Sequence, residues 1–253
     1  MTKGFFITGT DTGVGKTVIA AALVKAAQHF GLKAAGMKPI ETGCTIRVDR
    51  RQHTTGDSIK YPVDRNDYLI PADGIFLRDI SETPESLDLI TPVRFENPLA
   101  PLPASDIEGV AVDMRKIMDA YMKLAEKYDV LIVEGVGGMR VPITRDFFVS
   151  DLAKDFGLPV IVVTRPGLGT INHTLLTVEH ALMNGLTVAG IIINYSRPAE
   201  MTLAEHTNPS VLEKICPVPV FGIFSYLGTL NSTSIREVAL KNLNLEIIKN
   251  YLD

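Results

Sequence analysis

The chain has 253 residues, 46% of them hydrophobic and 21% charged, enough apolar material for one large core, so a single domain over residues 1–253 is expected. With 25 Lys and Arg against 29 Asp and Glu the net charge is -4, which carries no electrostatic footprint for nucleic acid or an anionic membrane. Two distant cysteines, Cys44 and Cys216, argue against a disulfide framework or a paired-cysteine metal set, and no signal-like start or run of ~18 apolar residues occurs, so a cytoplasmic small-molecule protein is expected.

Gly4-Phe5-Phe6-Ile7-Thr8 is short, aromatic and β-branched, and reads as a first strand. After a Gly-rich turn, Val18, Ile19, Ala22, Leu23, Ala26, Ala27 and Phe30 recur at helical spacing until Gly31. Lys33 to Pro39 is a second strand. The stretch from Ile40 to Gly109, rich in proline and polar residues, is too long for a turn and predicts short helices and active-site loops. Met114, Ile117, Met118, Tyr121, Leu124 and Ala125 predict a helix before a third strand, Val130 to Val133. Val160 to Thr164 is a fourth strand, Ile171, Leu175, Val178 and Leu182 mark a helix ending before Gly185, and Val188 to Ile193 is a fifth strand. Val218 to Gly222 is a sixth strand, and Ser232 to Asp253 reads as one terminal helix. Most of these strand runs do not alternate, as befits strands buried on both faces, so the expected fold is α/β with a doubly wound, mostly parallel sheet flanked by helices.

Gly9-Thr10-Asp11-Thr12-Gly13-Val14-Gly15-Lys16-Thr17 lies between the first strand and the first helix. In that position backbone N–H groups and a helix dipole cradle phosphates, with Lys16 reaching the β- and γ-phosphates and Thr17 ligating Mg²⁺. The third strand delivers Glu134 at its carboxyl end, ahead of Gly135-Val136-Gly137-Gly138. Ligands bind at that edge of an open parallel sheet, so Glu134 reads as a second Mg²⁺ ligand; the alternative is a surface carboxylate beside a Gly-rich loop. Lys38 ends the second strand at the same edge, as a solvated lysine or as a second cation for a transferring phosphoryl group. Asp57 reads by default as a helix cap. Gly169-Thr170-Ile171-Asn172-His173 opens a helix whose free N–H groups suit either an ordinary cap or a bound carboxylate, with His173 structural. Asn194, ending the fifth strand, reads as a base contact or as a turn former.

Taken in order, the Gly9 to Thr17 loop, Gly36-Met37-Lys38-Pro39, Thr42-Gly43, Val133 to Gly138, Leu168 to His173 and Asn194 resemble the dethiobiotin synthetase family, across most of the chain. The resemblance implies a three-layer P-loop NTPase-like fold and an ATP- and Mg²⁺-dependent cyclo-ligase of biotin biosynthesis. Its substrates would be CO₂ and 7,8-diaminopelargonate, ATP being the co-substrate. Lys16, Lys38, Thr12 and Thr42 would serve the reacting end, and Thr17, Asp57 and Glu134 would organise Mg²⁺. Gly13, Val14, Gly15, Gly135, Val136, Gly137, Asn194 and Ser225 would contact the nucleotide. Thr42, Gly169, Thr170, Ile171 and Asn172 would bind substrate, the helix start coming from the other subunit of a homodimer. A switch ATPase is the chief rival, yet Asp11 stands where such proteins often carry an extra lysine, and no Asn-Lys-x-Asp guanine-reading motif occurs.

Overall fold

The computed structural model describes residues 2–47, 66 and 68–253. In chain order the elements are β1 (Lys3–Gly9), α1 (Lys16–His29), β2 (Ala34–Met37), β3 (Ile40–Glu41), β4 (Thr45–Ile46), β5 (Leu69–Ile70), α2 (Ala72–Ser81), α3 (Leu87–Ile90), β6 (Val93–Arg94), α4 (Pro101–Glu108) and α5 (Met114–Ala125). They continue with β7 (Val130–Glu134), α6 (Val149–Phe156), β8 (Val160–Thr164), α7 (Thr170–Met183), β9 (Val188–Asn194), α8 (Leu203–Ile215), β10 (Val220–Phe224), α9 (Ser232–Asn242) and α10 (Leu245–Leu252).

Six strands form one sheet in the order β10-β9-β8-β1-β7-β2, and every pairing in it is parallel. Side chains alternate across its two faces, and both faces are apolar. Phe5, Ile7, Val130, Ile132, Ile161 and Val163 join the core under α1, α2, α9 and α10, while Phe6, Leu131, Val133, Val160 and Val162 join the core under α5, α6, α7 and α8. The doubly wound α/β sheet expected from the non-alternating strands is therefore what forms, with the hydrophobic material divided between two layers.

Four local expectations change. Strand β2 stops at Met37 because Pro39 has no N–H to donate; Lys38 N instead donates to Ile90 O, and Ile40–Glu41 pairs with β6. Strand β10 starts at Val220, after Pro217 and Pro219, and runs two residues further than expected. The single terminal helix is two. Leu243 is extended, Asn244 N donates to Phe221 O, and the Asn244 side chain accepts from Ile247 N to cap α10. Helices α6 and α8 also stand where none was predicted. Pro209 lies inside α8 and cannot donate to Glu205 O four residues back; the Tyr195 hydroxyl donates to that carbonyl at 3.4 Å instead. Among the described residues, no helix is long and apolar enough to cross a membrane.

Ile132 is fully buried in a central strand, so Ile132→Ala leaves a cavity between β7 and α1. Urea unfolding is expected to show a loss of about 3 kcal/mol with an unchanged m-value.

Candidate functional site

The carboxyl ends of β1, β2 and β7 meet at one edge of the sheet. Ile7 pairs with Glu134 and Met37 pairs with Val133, so the register sets Lys38 beside Glu134 at the mouth of the loop that leaves β1. The loop turns into α1 through Gly15, which adopts φ 88° and has no side chain to cap the helix. A Cβ there would lie 2.0 Å from Asn194 Nδ2, so glycine is required twice over, by conformation and by contact. Asn194 braces the loop, donating from Nδ2 to Val14 O at 2.8 Å. The first N–H groups of α1, from Lys16 to Val18, have no partner among the described residues, and Ile19 N is the first to bond, to Gly15 O. Unpaired N–H groups at the positive end of a helix dipole form an anion nest.

Glu134 is 1% exposed and Lys38 is 4% exposed. Lys38 Nζ lies 2.5 Å from Glu134 Oε1 and 3.1 Å from Asp73 Oδ2, and the Thr17 hydroxyl donates to the same Glu134 oxygen at 3.0 Å. Burial alone would lower the Lys38 ammonium, but Glu134 and Asp73 outweigh it and hold it above the ordinary lysine range. Burial raises the Glu134 carboxyl, against the pull of Lys38. Lys16 differs: burial, followed by the like charge of Lys38, brings it down to about 8, and its Nζ donates to Asp11 O at 3.1 Å.

Glu134 Oε2 is buried without a hydrogen-bond partner among the described residues. An orphaned carboxylate oxygen is costly unless something fills its lone pairs, and here it stands beside a hydroxyl and a second carboxylate, an all-oxygen set that suits Mg²⁺. Asp73, in the first turn of α2, was not singled out from the sequence. Its only sequence signal is an acidic residue just inside a helix start after Pro71. Asp57, expected as a metal ligand, lies outside the described residues.

A cleft of about 640 Å³ brings together Thr12, Gly13, Gly15, Lys16, Thr17, Lys38, Thr42, Glu134, Val136 and Gly137, with Glu41 and Asp73 added. A second cavity of about 820 Å³ begins at Gly13 and Val14 and reaches Asn194 and Tyr195. Ser225 lines neither cavity; it is exposed and its hydroxyl accepts from Asn242 Nδ2 at 2.8 Å. Gly169 to Asn172 also stand apart from the lysine cleft. Gly169 begins α7 at φ 91°, and the N–H groups of Ile171 and Asn172 have no partner among the described residues. The Thr170 side chain is not free for a ligand: its hydroxyl is buried in bonds with Thr164 and Thr174.

A parallel sheet, a glycine-turned phosphate nest and a Lys-Thr pair at the helix start define a P-loop nucleoside-triphosphate protein. A family model described as "AAA domain" matches residues 3–234. The ATP-dependent dethiobiotin synthetase of Thermodesulfovibrio yellowstonii is 48% identical over 98% of this chain and 99% of its own length. That of Bacillus velezensis is 39% identical over 98% and 97%. Among solved structures, the septum site-determining protein MinD complexed with Mg-ADP from Pyrococcus horikoshii is 18% identical, with a TM-score of 0.49 over 99% of this chain and 90% of that one. The chain belongs to the family of ATP-dependent dethiobiotin synthetases, ATP-dependent ligases of biotin biosynthesis.

With Lys16 brought down to about 8, a triphosphate that holds its ammonium must draw in a proton. Calorimetry of a non-hydrolysable ATP analogue at pH 8, in buffers of different protonation enthalpy, is expected to show uptake of about half a proton. Affinity is expected to fall as pH rises through 8, because the protonated lysine is the binding form.

Proposed function

We propose that this chain closes the ureido ring of dethiobiotin from 7,8-diaminopelargonate, CO₂ and ATP, working as a single-domain cytoplasmic homodimer. The observation that carries the reading is the buried Lys38 ammonium, held between Glu134 and Asp73 in the cleft that the phosphate loop opens onto. One substrate amine adds to CO₂ and loses a proton, giving a carbamate. A carbamate oxygen attacks the γ-phosphorus of ATP, and ADP leaves with the bonding pair of the broken β,γ-bridging P–O bond. The second amine then attacks the carbamoyl carbon, phosphate leaves with the C–O bonding pair, and the amine proton is released. No protein nucleophile is needed, so the work falls to positioning and charge.

Lys16 pairs with the β- and γ-phosphate oxygens once they displace its contact with Asp11 O. Lys38 stays protonated throughout and sits between γ-phosphate and carbamate, where it offsets the charge that spreads during transfer. Thr12 and Thr42, both at the cleft, hydrogen-bond the reacting end. Thr17, Glu134 through its free Oε2, and Asp73 would hold Mg²⁺. When bound, that ion neutralises phosphate charge and orients the γ-phosphoryl group. Val136 and Gly137 line the cleft and would meet the phosphates, Gly135 leads into them from β7 against Phe6 and Val149, and Val14 and Asn194 line the second cavity, where the base would lie. The Gly169 to Asn172 turn of a second copy supplies free N–H groups for the substrate's distant carboxylate, which is why it stands apart from the cleft of its own chain.

Given diamine, bicarbonate, Mg²⁺ and ATP, the protein is expected to release phosphate one-for-one with dethiobiotin. Lys16→Ala is expected to abolish both, while Asn172→Ala chiefly raises the KM for the diamine. Phosphate release indifferent to the diamine, with no cyclic urea formed, would reject the reading.

A further inference from the structure

Helix α2 carries Asp73 into the cleft, yet its own sequence does not secure its first turn. The residue before it, Pro71, provides no side-chain cap. The Asp73 side chain is 43% exposed, and Lys38 Nζ is its one side-chain partner among the described residues, so packing does little to aim it. What holds this turn comes from 32 residues earlier in the chain. Glu41 Oε1 accepts from Asp73 N at 2.9 Å and Glu41 Oε2 accepts from Gly74 N at 2.9 Å, a two-oxygen clamp on two consecutive free N–H groups. Glu41 is 4% exposed and rigidly seated. It pairs with Arg94 across β3 and β6, and its own carbonyl accepts from Phe95 N at 2.8 Å. Residue 74 is small because Thr91 closes on it: a Cβ there would lie 2.0 Å from Thr91 Oγ1, with Glu41 Oε2 at an ordinary contact distance of 3.5 Å.

We propose that Glu41 is a positioning residue of the active site, fixing the α2 backbone so that the Asp73 carboxylate meets Lys38 and the Mg²⁺ that Glu134 and Thr17 share. The assignment rests on the metal role of Asp73 given above. It also explains a carboxylate that lines the cleft but spends both oxygens on a helix. An ordinary helix cap contributes stability alone; a positioning residue also sets metal affinity, because outer-shell partners that orient a ligand typically change it about tenfold or more.

The test measures Mn²⁺ binding by electron paramagnetic resonance, as a probe for Mg²⁺, in the ADP-bound protein and its variants. Glu41→Ala is expected to weaken Mn²⁺ binding by about tenfold, and Glu41→Gln, which keeps one acceptor and tolerates folding best, by a smaller factor. In an Asp73→Asn background the Glu41 substitutions are expected to change little further, since the two act as one unit. Weakened binding in Asp73→Asn with none in either Glu41 variant would overturn the positioning role alone. Unaltered binding in Asp73→Asn would overturn the metal role of Asp73 and the inference with it. Failure of the wild-type protein to form dethiobiotin would count against the reaction and leave these binding results standing.

Discussion

The buried contact between Lys38 and Glu134 is the constraint from which the site follows. Two opposite charges have been taken out of water at the end of adjacent strands, at a cost that only close geometry and further bonds offset. The sheet supplies that geometry. Parallel pairing of β2 with β7 sets the two residues side by side, and pairing of β7 with β1 brings the phosphate loop to the same edge. Removing Lys38 would leave Glu134 a buried charge without its close partner, a penalty on the order of 3–5 kcal/mol, whereas Lys38 without Glu134 keeps Asp73. The ion pair is therefore tied to the fold and to the chemistry alike.

Two lysines in one cleft have different electrostatic fates. Lys38 touches two carboxylates and keeps its proton; Lys16 donates, among the described residues, to a backbone carbonyl, and burial followed by the charge of Lys38 brings it down to about 8. One is a permanent cation and the other is completed by its ligand. A site organised this way binds phosphate in a responsive place while holding a fixed charge where a second anion would join it. The glycine at position 15 and the Asn194 brace keep the loop open between them, so the nest costs little reorganisation when filled.

Much of this was legible in the sequence because it rests on local rules. A strand, a Gly-Lys-Thr and a helix can be read from a dozen consecutive residues, and apolar runs without alternation announce buried parallel strands. Glu134 and Lys38 were found because each ends such a run. Asp73 was not, since its place beside Lys38 depends on α2 packing at the sheet edge, and no spacing reports that packing. The hydroxyl of Thr170 turned inward because Thr164 and Thr174 lie beside it, a tertiary fact. Ser225 was drawn to Asn242 for the same kind of reason. The break in the terminal helix was written locally, in Asn244, but a capping asparagine inside a helical pattern carries less weight than the pattern around it.

The central claim is that the free Glu134 oxygen is there for a cation that joins the nucleotide. Titration of a non-hydrolysable ATP analogue, with and without Mg²⁺, into the wild-type protein and Glu134→Gln tests it most directly. Magnesium should strengthen binding to the wild-type protein, and that gain should vanish in Glu134→Gln while magnesium-free binding is retained. An equal gain in both proteins would contradict it.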